Sequence, residues 1–159
     1  MQMFDMGPVA PMLVIAIGNP SRGDDAIGPL AIEKLAALGL TDVELLTDFQ
    51  LQIEYAIDIS GRREVVFVDA SVDASAPFEF TPVAPAGDVS MTTHELSPSA
   101  VLETLRRLGG EPPPAYMLAI RGYSFDLGAR LSKQAAQNLD AAVAMLAARL
   151  DARVITSAA

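Results

Sequence analysis

The feature that most constrains the fold is an apolar run that leads directly into a turn rich in glycine and acid. Every residue of Met12–Ile17 is apolar, which predicts a strand that is buried on both faces. The turn at residues 18–28 contains the adjacent carboxylates Asp24 and Asp25 and leads into helical spacing. A strand that passes into a helix in this way predicts an open α/β sheet, which places its ligands at such junctions.

The rest of the chain alternates predicted strands with predicted helices. Further strands are predicted at 43–47, 65–69, 78–83 and 115–121, and helices at 25–38, 51–60, 98–108 and 132–150. Proline borders the strand at 78–83, which indicates an edge strand. The pattern predicts a mostly parallel sheet with helices on both faces.

Residues 12–150 are predicted to form one α/β domain between two tails. The N-terminal tail at 1–11 is expected to be flexible, and residues 151–159 are expected to form a C-terminal tail. Ser97 followed by Pro98 is typical of a helix start, because serine caps the first amides and proline fits the first helical position. No long linker interrupts the domain.

Composition excludes several classes of function. The chain has 159 residues, 51% of them hydrophobic, with a net charge of −9, so nucleic acid and anionic membranes are poor partners. Without cysteine, it cannot use a thiolate nucleophile or a disulfide. No apolar run is long enough to span a membrane, and no secretory signal is recognisable, so we expect a cytoplasmic protein.

Three acids and the single histidine are the candidate chemical groups. Asp69 ends the predicted strand at 65–69, where an acid either caps the next turn or points into the crevice above the sheet. We expect Asp24 to cap the first helix and Asp25 to face the crevice. His94 lies in a polar loop before a helix, where a histidine is either a structural residue or a ligand.

If the first and third strands are neighbours, Asp25, Asp69 and His94 meet at one end of the sheet and offer oxygen and nitrogen ligands to a divalent metal. A nucleotide site is the competing interpretation, because Gly18 and Gly23 are spaced as in a phosphate loop. The dinucleotide and P-loop motifs are absent, however, and the adjacent acids would repel phosphate. A Gly-x-Ser-x-Gly elbow is also absent, which leaves little support for covalent acyl chemistry.

These residues together resemble the nickel–iron hydrogenase maturation endopeptidases. The resemblance covers about residues 12–150 and rests on the order, spacing and strand context of three segments. The matching segments are Gly18-Asn19-x-x-x-Gly23-Asp24-Asp25-x-x-Gly28, Val68-Asp69-Ala70 and Thr93-His94.

The resemblance implies a three-layer α/β/α sandwich around a twisted five-stranded sheet, of the phosphorylase/hydrolase type. It implies a nickel-dependent, aspartic-type endopeptidase that removes a short C-terminal peptide from the precursor of a hydrogenase large subunit. The family's three metal positions fall on Asp25, Asp69 and His94, and the nickel is supplied mainly by the precursor, although other divalent ions are expected to substitute for it in isolation. Many members have glutamate at the first position, so Asp25 is one methylene shorter.

Within this interpretation, Asp25 and Asp69 are the catalytic candidates, and Asn19, Arg22 and Asp24 are expected to contact the substrate. Nickel polarises the scissile carbonyl, or a water is activated by the metal or by one of the two aspartates; the sequence leaves these routes open. Two other functions also remain open. One is a non-catalytic chaperone that binds metal or precursor, and the other is a general metallopeptidase with a tightly held metal.

Overall fold

The computed structural model describes residues 8–87 and 96–158, and a five-stranded sheet lies at its centre. The strands in chain order are β1 (Met12–Ile17), β2 (Val43–Asp48), β3 (Glu64–Ser71), β4 (Phe78–Val83) and β5 (Ala115–Arg121). The helical elements are a single 3-10 turn (Gly23–Ala26), α1 (Ile27–Ala37), α2 (Tyr55–Ile59), α3 (Pro98–Arg107) and α4 (Lys133–Ala158).

The strands lie in the order β2-β1-β3-β5-β4. β1 is parallel to both β2 and β3, and β3 is parallel to β5. β4 pairs antiparallel with β5 at the edge of the sheet, a place that tolerates Pro82 because an edge strand has one unpaired side. The predicted mostly parallel sheet, with its edge strand at 78–83, is confirmed.

Helices cover both faces of the sheet and bury two apolar cores. On β1, Met12, Val14 and Ala16 pack toward α1 and α4. The alternate residues of the same strand pack toward α2 and α3. Because both of its faces are covered, β1 is apolar at every position. The predicted three-layer α/β/α sandwich is therefore confirmed.

The first two helices are shorter than their sequence patterns predicted. The helix predicted over 25–38 begins only at Ile27, because Gly23–Ala26 forms a separate 3-10 turn before it. The helix predicted over 51–60 forms at Tyr55–Ile59 alone. Ala26 before α1 and Leu51 before α2 are nevertheless buried, so the hydrophobic pattern located the packing correctly and misplaced only the helix starts.

The last helix is longer than predicted. α4 continues beyond its predicted end at Leu150, so the predicted tail at 151–159 is helical as far as Ala158. Within this extension, Arg153 forms an ion pair with Glu64 of β3, with a nitrogen–oxygen distance of 3.4 Å. This contact favours the extension, because most of residues 151–158 are weak helix formers.

The predicted N-terminal tail is described only in part. Residues 1–7 lie outside the described residues, whereas the carbonyl oxygen of Pro11 accepts a hydrogen bond from the Arg63 amide at 2.8 Å. The chain is therefore fixed to the body just before β1 begins. None of the described helices is long and apolar enough to cross a membrane.

Candidate active site

The candidate site lies where β1 and β3 end side by side. The register pairs Ala16 with Val68, so Ile17 and Asp69 stand at the same level of the sheet. From β1 the chain continues to β2 on one side, and from β3 it continues to β4 and β5 on the other. This change of direction opens a crevice at the carboxyl ends of parallel strands. The first and third strands are therefore neighbours, which is the condition on which the predicted convergence of Asp25 and Asp69 depended.

Asp25 is held at this crevice by the turn that follows β1. The Asn19 amide donates a hydrogen bond to Oδ2 of Asp25 at 2.8 Å. Oδ1 of Asn19 accepts a hydrogen bond from the Ser21 amide at 2.9 Å, and the backbone carbonyl of Asn19 accepts one from the Arg22 amide at 3.1 Å. Asp25 is half-buried and Arg22 is exposed. The turn therefore fixes one carboxylate oxygen of Asp25 and leaves the residue partly accessible from solvent.

Two glycines allow this turn to pack against its own helix. A Cβ atom on Gly18 would overlap the carbonyl oxygen of Asp25, and one on Gly28 would overlap the carbonyl oxygen of Ile17. The backbone of the turn and the first residues of α1 are thus in direct contact. Close backbone packing within the chain therefore explains the spacing of these glycines.

Asp24 has a role that differs from both of its predicted ones. Its side chain is 0% exposed, so it is inaccessible to a substrate, and it makes no capping hydrogen bond to α1. Instead, its carboxylate accepts hydrogen bonds from the amides of Tyr123 and Ser132, both at 2.7 Å, from the Ser124 amide at 3.1 Å, and from the Ser132 hydroxyl at 2.8 Å. Burial alone would raise the pKa of Asp24, but these hydrogen bonds outweigh burial and lower it.

Asp69 lies on the face of β3 that packs toward α2 and α3. Alternation along the strand puts it on the same side as Phe67. It is half-buried, and its Oδ1 accepts a hydrogen bond from the Ala70 amide at 2.8 Å. Beside it lies a cavity of about 230 Å³, whose lining is mainly apolar and includes Ile17, Leu51, Phe67, Leu96, Pro98 and Met117.

The start of α3 forms the other wall of this cavity. Ser97 caps the helix as predicted, since its hydroxyl accepts a hydrogen bond from the Ala100 amide at 3.1 Å. His94 and the rest of residues 88–95 lie outside the described residues, so the third predicted metal ligand has no described position. Among the residues that are described, no three His, Cys, Asp or Glu side chains form a group that could hold a metal ion.

A third aspartate at the same edge was missed by the sequence analysis. Asp48 ends β2, and its carbonyl oxygen accepts a hydrogen bond from the Gly18 amide at 3.0 Å. The Tyr55 hydroxyl donates to Oδ2 of Asp48 at 2.8 Å. Burial, together with this hydrogen bond, raises the pKa of Tyr55 to about 12. The sequence signal that could have identified Asp48 is an acid at the end of a predicted strand, the same signal that identified Asp69.

The carboxyl edge of the sheet also exposes apolar surface. Phe49 and Leu127 are the most exposed large apolar side chains of the described residues, at 62% and 71%. Phe49 follows β2, and Leu127 lies in the connection between β5 and α4.

No protein-family model and no curated protein matches the sequence. Solved structures do match the fold. The hydrogenase maturating endopeptidase HybD from E. coli has a TM-score of 0.68 at 23% identity, over 87% of this chain and 91% of that one. The [NiFe] hydrogenase maturation protease HycI from Thermococcus kodakarensis has a TM-score of 0.67 at 25% identity, over 92% and 96%.

A third structure, the hydrogenase 2 maturation peptidase from a Thaumarchaeota archaeon, has a TM-score of 0.64 at 23% identity. It covers 87% of this chain and 97% of that chain. In each of these pairs the match extends over nearly the whole of both proteins, so the likeness concerns the complete α/β domain. The chain therefore has the fold of the hydrogenase maturation endopeptidases, as the resemblance in its motifs predicted.

Proposed function

We propose that this protein is an endopeptidase that removes a short C-terminal peptide from the precursor of a [NiFe] hydrogenase large subunit. The observation that carries the proposal is that Asp69 lies near the end of β3 and Asp25 in the turn after β1, while the ends of these two strands are adjacent at the switch point of the sheet. The fold supports the same conclusion, because it is shared with proteins named as hydrogenase maturation endopeptidases.

In this proposal nickel belongs to the substrate. The precursor holds the ion mainly through its own thiolates, and Asp25, Asp69 and His94 complete its coordination. Half-buried carboxylates and a neutral imidazole are donors that suit a divalent ion of borderline softness. Cleavage then reports that the metal has been loaded. We place this step in the cytoplasm, where thiolates remain reduced.

The reaction is hydrolysis of one peptide bond. A water oxygen attacks the carbonyl carbon, the carbon–nitrogen bond breaks, and the water's proton passes to the leaving amine. Asp25 or Asp69 takes that proton first, which is the aspartic-type role. Asp25 is well suited to this task because the Asn19 amide holds its Oδ2 at 2.8 Å and so fixes the carboxylate in one orientation.

The cavity beside Asp69 has a place in this proposal. Its volume of about 230 Å³ and its mainly apolar lining suit one apolar side chain of the precursor. A side chain inserted there would bring the neighbouring peptide bond to the edge where Asp25 and Asp69 lie. The exposed Phe49 would then lie against the folded part of the precursor.

The test is to incubate the protein with nickel-loaded precursor and to follow the precursor's mass. We expect release of a C-terminal peptide, with Asp25→Asn, Asp69→Asn and His94→Ala each slowing it at least about 100-fold. Asp42→Asn is the matched control, because Asp42 is an exposed aspartate at the amino ends of the parallel strands, away from the site.

Three results would contradict the proposal. The first is full processing by the Asp25→Asn and Asp69→Asn variants, which would remove the carboxylates from the mechanism. The second is equal processing of nickel-free precursor, which would remove the metal from recognition. The third is a stable complex in which the precursor keeps its full length, which is the behaviour expected of a chaperone.

A further inference from the structure

The turn after β1 and the connection between β5 and α4 form one continuous surface. We call residues 19–25 and 122–133 together the platform. The Gly23 amide donates to the Ala129 carbonyl at 3.2 Å, and the Gly128 amide donates to the Ser21 carbonyl at 2.8 Å. The two segments of the platform are therefore adjacent in space, next to Asp25, although they are far apart in the sequence.

The buried Asp24 joins the two segments of the platform through hydrogen bonds. In addition to the four hydrogen bonds that its carboxylate accepts, its amide donates to the Ser124 carbonyl at 2.7 Å. Gly23 permits the close contact, because a Cβ atom there would lie 2.5 Å from the Ser124 carbonyl oxygen at a φ of +57°. The upper side of the platform is thus a preformed surface, which lowers the entropic cost of binding a partner.

The platform carries cations that have no partner among the described residues. All eleven lysines and arginines are described, and seven of them make hydrogen bonds, ion pairs or ring contacts. Arg22, Arg63, Arg130 and Lys133 make none through their side chains with a described residue. Three of these four lie on the platform, where Asp126 is exposed, Asp25 is half-buried and Asp24 is buried. The exposed charged side chains of the platform are therefore three cations and one acid, in a chain with a net charge of −9.

An apolar side chain lies within the same surface. Leu127 is 71% exposed. The amide of the next residue, Gly128, donates a hydrogen bond to the carbonyl of Ser21, which precedes Arg22. A partner that fits this surface carries a negative charge close to an apolar side chain. The peptide removed in the proposed reaction necessarily ends in an α-carboxylate, and it must pass close to Asp25.

We propose that the platform binds the C-terminal extension of the precursor, an inference that rests on the proposed function. Carboxylates of the extension lie against Arg22 and Arg130, and an apolar side chain lies against Leu127. Because these contacts lie outside the bond that is cleaved, they hold the substrate and take no part in the chemical step. They therefore determine KM and leave kcat nearly unchanged.

The experiment measures peptide release from nickel-loaded precursor at several precursor concentrations. Arg130→Glu and Leu127→Ser are each expected to raise KM about tenfold, with kcat within about twofold of the original. Arg63→Glu and Leu108→Ser are the matched controls and should leave both constants unchanged. Arg63 is an unpartnered cation and Leu108 is a 41% exposed apolar residue, and both lie at the opposite edge of the sheet.

A binding measurement separates this inference from the proposed activity. The immobilised protein is presented with the precursor and with the same large subunit lacking its extension. The platform variants should weaken binding of the first and leave binding of the second unchanged, even if no peptide is ever released. Equal binding by the platform variants and their controls, a loss confined to kcat, or no extension-dependent binding by the unmodified protein would each overturn the inference.

Discussion

Asp24 and Asp25 are neighbours in the sequence, yet their environments are opposite. Asp25 is half-buried at the crevice, whereas Asp24 is enclosed by four donors from residues about one hundred positions later in the chain. Replacing Asp24 with asparagine removes the charge and turns an amide group toward those donors. We expect Asp24→Asn to lower the free energy of unfolding by at least about 3 kcal/mol, measured by urea denaturation at pH 7.

The pH dependence of this effect identifies its cause. The hydrogen bonds lower the pKa of folded Asp24 below its ordinary value of 3.8, so the carboxylate stabilises the fold at every pH above that value. As the pH falls through the lowered pKa, the carboxylate is protonated and its contribution is lost. The stability difference between the original protein and Asp24→Asn should therefore be constant from pH 7 to about 5 and shrink below about 4. A difference that stays constant down to pH 2, or one equal to that of Asp42→Asn, would contradict this.

The junction between β1 and α1 is a tightly packed element, and Gly28 is one of two positions there at which an added Cβ atom would overlap backbone. In an ordinary helix, alanine is more stable than glycine by about 1 kcal/mol. Here the added methyl group would meet the carbonyl oxygen of Ile17, which is backbone and cannot move aside easily. Gly28→Ala should therefore lower the free energy of unfolding by about 2–3 kcal/mol, against the helix propensity. It should also slow processing, because Asp25 lies on the displaced turn.

Gly39→Ala is the control for that substitution. Gly39 ends the helix region at a φ of +64° and has no heavy atom near the position of an added Cβ. It should cost only the 1–2 kcal/mol of the left-handed conformation, with processing unchanged. An effect of Gly28→Ala on stability or processing no larger than that of Gly39→Ala would refute the proposed packing constraint.

Much of the molecule was predictable from the sequence, because local pattern and final packing agree there. The apolar run of β1 gave its bounds, and the serine and proline before α3 gave its start. The platform was not predictable, because its hydrogen bonds join Asp24 to Tyr123 and Ser132, and no local signal indicates a pairing over 99 or 108 residues. The position of His94 stays a prediction, since it lies outside the described residues.

The whole molecule has two unlike edges, and only one of them is expected to meet the precursor. Asp25, Asp69, the cavity and the platform all lie at the carboxyl ends of the parallel strands. The opposite edge carries the helix ends and the turns that lead into the strands, including residues 38–42 and 108–114. Amide hydrogen exchange of the full chain, with and without nickel-loaded precursor, distinguishes the two. The Asp69→Asn variant keeps the precursor intact during the measurement.

We expect slower exchange at residues 19–25 and 122–132 when the precursor is added, because a bound partner excludes water and suppresses local opening there. Exchange at 38–42 and 108–111 should be unchanged. A large subunit without its extension should protect the platform less than the precursor does, although it still presents nickel to the crevice. Protection confined to the opposite edge would place the partner on the wrong side of the sheet for Asp25 and Asp69 to act on it, and would contradict both the site and the platform.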